Sequence, residues 1–399
     1  MKARVIALYL PQFHPIPEND KWWGKGFTEW NNVRKAVPLC KGHVQPRVPA
    51  DLGYYDLRNP EVREQQAQLA REAGIEGFCY YHYWFGEGRQ LLERPFNEVL
   101  SSGKPDFPFC LCWANHNWTN KSWKKSKTMA TGNMIMEMKY SMDDHIKHFY
   151  SVLPAFRDSR YIRVDGKPLF AVWAPRDIPE CRAFIDKWQE LAKQNGLQGI
   201  HFVGYTANSS KGLPGKRKNL YNTNLAQQYY DSVLDLGFDA VISNGLVRGM
   251  SRLLGRLRLA WYVFTYQSII PSNVHLDYSK VMKNFFAPED ANENVYPTIM
   301  PQWDRTPRAG QKTEYLVNSS PEAFKHHISD ALEYVKDKLP EHRILFLKAW
   351  NEWGEGNYVE PDQQFGHGWL DAIRSVISCS TPWHIRRCSL CRSSMEWGR

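Results

Sequence analysis

The 399-residue sequence predicts an α/β fold, a single (β/α)8 TIM barrel with long βα loops. Three observations predict it. Eight short apolar runs alternate with eight amphipathic helical stretches, the pattern of parallel strands joined by crossover helices. No G-x-G-x-x-G or Walker A turn follows any run, which disfavours the doubly wound open sheet, the main alternative. Polar and aromatic residues gather just after the strand ends, the rim where a barrel builds its active site.

The first strand is expected over Arg4 to Leu10, followed by a long loop from Pro11 to Asn59. Loops of that length are usually functional or disordered. Its Trp22, Trp23, Phe27, Glu29, Trp30 and Asn31 argue for order and for a cover over the barrel mouth. The first helix runs from Pro60 to Glu72, opened by a proline whose missing N–H costs nothing there and closed by Gly74. Strands follow at Gly77 to Trp84, Phe109 to Trp113, Leu169 to Trp173, Ile200 to Tyr205, Phe238 to Ser243, Tyr296 to Met300 and Ile344 to Trp350. Helices separate them at Leu91 to Leu100, Met142 to Phe156, Pro179 to Asn195, Asn219 to Tyr230, Tyr278 to Phe286 and Pro321 to Leu339, and the last runs from Trp369 to Ser378. The barrel domain thus takes residues 1–378, and residues 379–399 read as a tail, open to disorder. Gly, Ser and Lys dominate Asn208 to Asn219, which reads as a mobile surface loop.

Composition narrows the function. Hydrophobic residues make up 43% and aromatics 14%, including 16 Trp, several beside His, Asn, Asp or Glu. Such pairings suit sugars, whose rings offer apolar C–H patches edged by hydroxyls, although any one Trp can equally fill a core. The formal charge of +9 points to anionic ligands or surroundings, with the excess in Lys211 to Lys218, Arg248 to Arg258 and the last few residues. No RNA-binding box or regular basic stripe accompanies it, so nucleic acid is not an expected partner. The apolar run Val5 to Leu10 is too short for a signal peptide and no segment is long enough to span a membrane. The eight scattered Cys imply no disulfide framework, and a cytoplasmic protein with free thiols is expected. Cys388 and Cys391, with Cys379 and His384 nearby, make one weak zinc-like pair.

The chemistry is expected at Ala349-Trp350-Asn351-Glu352-Trp353-Gly354-Glu355-Gly356, at the last strand's exit. If the turn there is helical, Glu352 and Glu355 face the same way. Two carboxylates in one pocket acquire separated pKa values, so one serves as acid and the other as base, as glycosidic bond cleavage requires. The plainer reading is two incidental Glu on a solvated loop. Gln12 and His14 follow the first strand, His82 and Trp84 end the second, and Asn115, His116 and Asn117 follow the third. Of these His14, His82, Trp84, Asn115 and His116, with Tyr9, Trp113, Trp118 and Asn351, are candidates for holding or stacking on sugar, against a structural role for each. Asp304 could hold sugar hydroxyls and Arg305 an anionic group on the glycan, with Trp303 beside them; alternatively Asp304 pairs with Arg305 or Arg308 to brace the loop. The His spacing carries no metal signature, and no metal or cofactor is expected. Arg248 to Phe264 mixes Arg248, Arg252, Arg256 and Arg258 with Leu253, Leu254, Leu257, Leu259 and Trp261. Such a helix can lie on an anionic membrane surface or simply pack on the barrel.

Six spaced motifs carry a family resemblance. They are Tyr9-Leu10-Pro11-Gln12-Phe13-His14-Pro15, Gly26-Phe27-Thr28-Glu29-Trp30, Tyr80-Tyr81-His82-Tyr83-Trp84-Phe85, Trp113-Ala114-Asn115-His116-Asn117-Trp118, Pro301-Gln302-Trp303-Asp304-Arg305-Thr306-Pro307-Arg308 and Trp350-Asn351-Glu352-Trp353. Together, from Arg4 to Ile377, the chain resembles the WbsX-type proteins, which are related to glycoside hydrolase family 99 and often accompany lipopolysaccharide or capsule biosynthesis. The resemblance implies a (β/α)8 barrel without a metal cofactor, acting on an α-linked, mannoside-like sugar. It implies that Glu352 takes the proton of the sugar 2-hydroxyl, whose oxygen attacks the anomeric carbon to give a 1,2-anhydro sugar. It implies that Glu355 protonates the leaving oxygen and then activates water. The expected partner is an oligosaccharide or lipid-linked glycan, placing the protein in the cytoplasm, with a peripheral position on the inner membrane open. A glycosyltransferase using an activated donor and a glycan-binding scaffold without turnover are the rival readings.

Overall fold

In a computed structural model, residues 2–119, 134–206, 226–267, 274–310 and 313–378 are described. Eight parallel strands form the centre: β1 Arg4–Tyr9, β2 Gly77–Gly86, β3 Phe109–Trp113, β4 Lys167–Val172, β5 His201–Tyr205, β6 Ala240–Ser243, β7 Val295–Ile299 and β8 Ile344–Leu347. Each pairs with the next in chain order, and β8 returns to β1 with Arg4 opposite Ile344 and Ala7 opposite Leu347. The β1–β2 pairing completes the ring, so no strand edge remains open. The predicted barrel is therefore what the chain forms. Shifts from the expected strand bounds are of one to three residues, largest at β8, which ends at Leu347 before the acidic turn.

The outer layer is α1 Pro60–Glu72, α2 Arg94–Ser102, α3 Met142–Arg157, α4 Cys181–Gln194, α5 Ala226–Leu234, α6 Leu246–Gln267, α7 Tyr278–Met282, α8 Pro321–Val335 and α9 Gly368–Ile377. Their starts follow the local chemistry. Asn59 accepts from the Glu61 amide ahead of α1, Ser141 from Asp144 ahead of α3, and Ser320 from Ala323 ahead of α8, with proline in the first turn of α1 and α8. α4 buries Cys181, Phe184, Ile185, Trp188, Leu191 and Ala192, one apolar stripe at helical spacing.

The connection after β6 departs from expectation. It holds a long helix, α6, interrupted at Gly255 by a non-helical φ of 67°, before the short α7. Arg248 is turned inward, pairing with the buried Asp290 at 2.9 Å and donating to the Phe285 carbonyl, and Arg252 donates to the Phe286 carbonyl at 3.2 Å. Both cations fasten the helix to the fold, Arg248 largely buried and Arg252 still exposed to solvent. Side chains of residues 256, 257 and 259–267 lie outside those described, as do the Lys211 to Lys218 cluster, the Asn208 to Asn219 loop and the Cys388–Cys391 pair. No helix among the described residues is long and apolar enough to cross a membrane.

The long β1–α1 loop is ordered by its aromatics. Phe13, Trp30 and Tyr55 pack with centroids 4.6–5.2 Å apart, and the Trp30 indole donates to the Tyr55 carbonyl at 2.8 Å. Trp30 also packs on Trp353 at 5.5 Å, joining this loop to the turn after β8.

Beneath that turn lies Glu360, 1% exposed, which accepts from Tyr55 Oη, Gln66 Nε2 and Trp353 Nε1 at 2.6–2.9 Å. Burial pushes its carboxyl up to about 7 from an ordinary 4.5, the hydrogen bonds only partly opposing it. Below pH 4.5 the group is protonated folded and unfolded, and its contribution is intact. Between 4.5 and 7 only the unfolded chain ionises, so stability falls as pH rises, by roughly 3 kcal/mol in all. Glu360→Gln is therefore expected to gain stability relative to the native protein across that window. Urea unfolding at pH 4.5 and 8 checks it; a difference that stays constant with pH refutes the assignment.

Candidate active site

At the end of β8 the chain turns through Asn351–Glu352, one 3₁₀ turn at Trp353–Glu355, and Asn357–Tyr358, which pairs back on Asn351–Glu352. In a 3₁₀ turn residues three apart eclipse one another. Glu352 and Glu355 accordingly point into one pocket, 7% and 8% exposed. Both reach the same nitrogen, Arg308 Nη1, at 3.2 and 2.9 Å. The opposite edge of that guanidinium is clamped by Glu29, fully buried, through Nε at 2.9 Å and Nη2 at 3.1 Å. Burial alone would lower the Arg308 pKa; the charges of Glu29, Glu355 and Glu352 outweigh it and hold the group cationic.

Gly354 lies where this clamp passes closest. A Cβ there would collide with the Glu29 carboxylate and stand 2.8 Å from Arg308 Nε. Gly356 has a φ of 53° and faces Asp304, where a Cβ would meet that residue's own Cβ at 2.7 Å. The two glycines flanking Glu355 are thus required by close approach and, at Gly356, by backbone conformation.

Electrostatics separate the two acids. Burial raises the Glu352 carboxyl, the charge of Glu355 adds to this, and Lys348 and Arg308 only partly offset it. Its Oε2 is buried without a hydrogen-bond partner among the described residues. Glu355 feels the same desolvation, but Arg308, Arg305 and Lys348 overcome it and hold its carboxyl down at about 2. Arg305 Nε lies 3.3 Å from Glu355 Oε1 and its side chain is about a third exposed (32%), so this cation is the one open to the barrel mouth.

Lys348, 4% exposed, sits on the last strand's continuation amid Trp173, Trp303 and Tyr205, with Nζ 4.9, 5.3 and 5.7 Å from the ring centroids. Burial would lower its pKa, but Tyr205, Glu352 and Glu355 outweigh that and keep it charged. Trp173 and Tyr205 stack at 4.1 Å and 13°. The pocket thus combines acids, cations and aromatic faces, which fits a hydroxylated ring better than a wholly apolar ligand.

Several of the expected sugar-contacting side chains make hydrogen bonds within the protein. Tyr9 faces the helices, where its hydroxyl donates to Gln66 at 2.7 Å and its ring packs on Phe78 and Tyr80. His82 Nε2 lies 2.9 Å from His148 Nε2, Trp84 donates to Asp144, and Trp113 donates to the Trp84 carbonyl, all toward α3. His14 is buried with Nδ1 at the Pro11 carbonyl. Asn115 bridges to Ala174, accepting from its amide at 2.7 Å and donating to its carbonyl at 2.8 Å. Asn351 likewise accepts from the Leu10 amide and donates to its carbonyl, binding the β8 turn to the end of β1. Asp304 takes His43 at 2.8 Å, Gln45 at 2.6 Å and both the amide and hydroxyl of Thr306. These contacts brace the loop, with His43 and Gln45 on Oδ2 and Thr306 on Oδ1. Of the remaining candidates, Trp303 and Arg305 join Glu352 and Glu355, while His116 is exposed at the end of β3. No group of three His, Cys, Asp or Glu among the described residues is arranged to hold a metal.

Tyr81, Tyr83 and Lys348 also stand within electrostatic reach of Glu352. β2 alternates, so with His82 and Trp84 outward, Tyr81 and Tyr83 face inward. The charge of Glu352, after burial, raises the pKa of both phenols. Lys348 is a lone charge within an apolar strand run, a signal available in the sequence.

By fold the protein is a (β/α)8 barrel with an acidic pair at its C-terminal rim. Residues 5–373 match the family described as Glycosyltransferase WbsX, and the chain belongs to that family. It is 35% identical over 382 residues to WxcX of Xanthomonas campestris pv. campestris, in two strains. The match covers 95% of this chain and 50% of WxcX, so the chain spans about half the length of the curated relatives it matches. Among solved structures it is similar to a glycoside hydrolase-like protein, with TM-score 0.55, 15% identity and 95% and 94% of the two chains covered. It is similar also to a family 99 endo-α-mannosidase of Bacteroides thetaiotaomicron, with TM-score 0.54, 14% identity and 94% and 96% covered. At such identities these likenesses establish the shared barrel alone.

Proposed function

We propose that the protein cleaves or transfers an α-linked, mannoside-like glycosyl unit in surface polysaccharide metabolism. The observation that carries this is the shared pocket of Glu352 and Glu355, two buried carboxylates driven apart in pKa around one guanidinium. Glu352, the more basic, takes the proton of the sugar 2-hydroxyl. That oxygen closes on the anomeric carbon as the glycosidic C–O bond breaks, and the leaving oxygen receives its proton from Glu355. Water or an acceptor hydroxyl then opens the 1,2-anhydro ring, losing its proton to Glu355, while Glu352 returns its own to O2. The family's relation to family 99 barrels supports this reading, and the substrate class rests on it.

Glu355 is a weak proton carrier while Arg305 and Arg308 hold it. Burial and the charge of Glu355 raise the Glu352 carboxyl while the cations lower that of Glu355, so a proton held by Glu355 requires those cations to be drawn toward the substrate. Removing a cation raises a carboxylate's pKa. Arg305→Ala is therefore expected to move the low-pH limb of the pH–rate profile upward; a limb that stays in place separates Arg305 from the reaction.

A second reading, transfer from an activated donor, is favoured by the family's description as glycosyltransferases. Incubation with nucleotide sugars, with and without a polysaccharide acceptor, distinguishes the two. Nucleotide release that requires the acceptor defeats the hydrolase reading, and release of free sugar from an oligosaccharide without nucleotide supports it.

A further inference from the structure

The β1–α1 loop holds a second hollow, a cleft of about 620 Å³ outside the acidic pocket. Its wall includes Trp30, Arg34, Lys35, Tyr54, Asp56 and Arg58. The volume lies within the usual range for small-molecule sites. Tyr54 remains 40% exposed, its ring edge-on to Trp30 at 5.1 Å and 88°. The Arg34 guanidinium lies 4.9 Å over the Tyr54 ring.

Charge in the cleft is unbalanced. Arg58 is satisfied by Asp56, with Nη2 at 2.7 Å from Oδ2. Neither Arg34 nor Lys35 makes a side-chain hydrogen bond or ion pair among the described residues. A guanidinium with one face on an aromatic ring keeps its N–H edge free, and that edge matches a carboxylate or phosphate in fork geometry. The cleft therefore presents an aromatic face and two uncommitted cations together.

The geometry points to a binding site for an anionic saccharide unit, a pyranose bearing a carboxylate or a phosphate, with Arg34 as the fork. The saccharide part rests on the proposed glycan function, whereas the anion part rests on the charges alone. Trp30 joins the site to the chemistry. Its indole lines the cleft and packs on Trp353, while the preceding Glu29 clamps Arg308. The Trp30 segment thus joins the cleft to the acidic turn, an arrangement suited to gripping a glycan away from the bond that reacts.

Ligand-observed NMR with D-glucuronic acid, α-D-glucose 1-phosphate and D-glucose tests the assignment without requiring turnover. Either anion is expected to bind at least about tenfold more tightly than glucose, the value of one charge-assisted hydrogen bond. Which anion is preferred identifies the source, uronate or sugar phosphate. The Arg34→Gln/Tyr54→Ala variant should lose the preference, and Arg305→Ala should retain it. Equal binding of all three sugars, or a preference that survives in the double variant, overturns the site. Since Arg34 and Tyr54 lie outside the acidic pocket, loss of anion preference with intact turnover, or the reverse, tells the two hypotheses apart.

Discussion

Glu352→Gln and Glu355→Gln are each expected to lower kcat for glycan cleavage or transfer by about 10²–10⁴-fold, the usual contribution of a positioned general acid or base. The substitution keeps side-chain volume and removes the ability to exchange a proton at the working pH. The two should differ in their effect on stability. Glu355 is held ionised by Arg308 and Arg305, so its neutral amide leaves cations under-compensated. Glu352 is already disfavoured as a charge by burial, so neutralising it should cost less. Kinetics on folded variants, with melting temperatures recorded in parallel, supply both readings. Full activity in both variants would remove the acidic pair from the mechanism. Persisting glycan binding with an unchanged cellular polysaccharide would instead favour a scaffold without turnover.

Arg308→Met should be the most destabilising single change at the site, by about 3–5 kcal/mol, because it strands buried carboxylates without their cation. Glu29 is the critical partner: it is fully buried and contacts Arg308 twice. Adding Glu29→Gln to Arg308→Met removes one of the stranded charges, so the double variant should lose less than the sum of the two single losses. Denaturant unfolding of the four proteins in the cycle measures this coupling. Strict additivity would show that Glu29 and Arg308 do not act as a unit. Gly354→Ala offers an independent check, since its methyl would push into the same pair.

How much was legible in the sequence differs by residue. The last-strand motif announced Glu352 and Glu355 because they lie close in the chain and follow an apolar run. Arg308 and Glu29 stood in quoted motifs, but nothing local connects residues 279 positions apart. The inward direction of Tyr81 and Tyr83 was hidden for a different reason. All ten residues of β2 are buried, so alternation of polarity carries no information about which face looks inward. Asn115, Asn351 and Asp304 were correctly placed at strand exits, yet position could not say whether their polar atoms face ligand or neighbouring backbone.

The sequence by itself determined the barrel, the order of its strands and the strand exit that carries the acidic pair, since periodicity and turn chemistry act over a few neighbouring residues. Only the tertiary structure decided which side chains share the pocket. Charge balance among Glu29, Arg308, Glu352, Glu355 and Lys348 depends on distances across the barrel mouth, and those exist only once β8 has closed against β1.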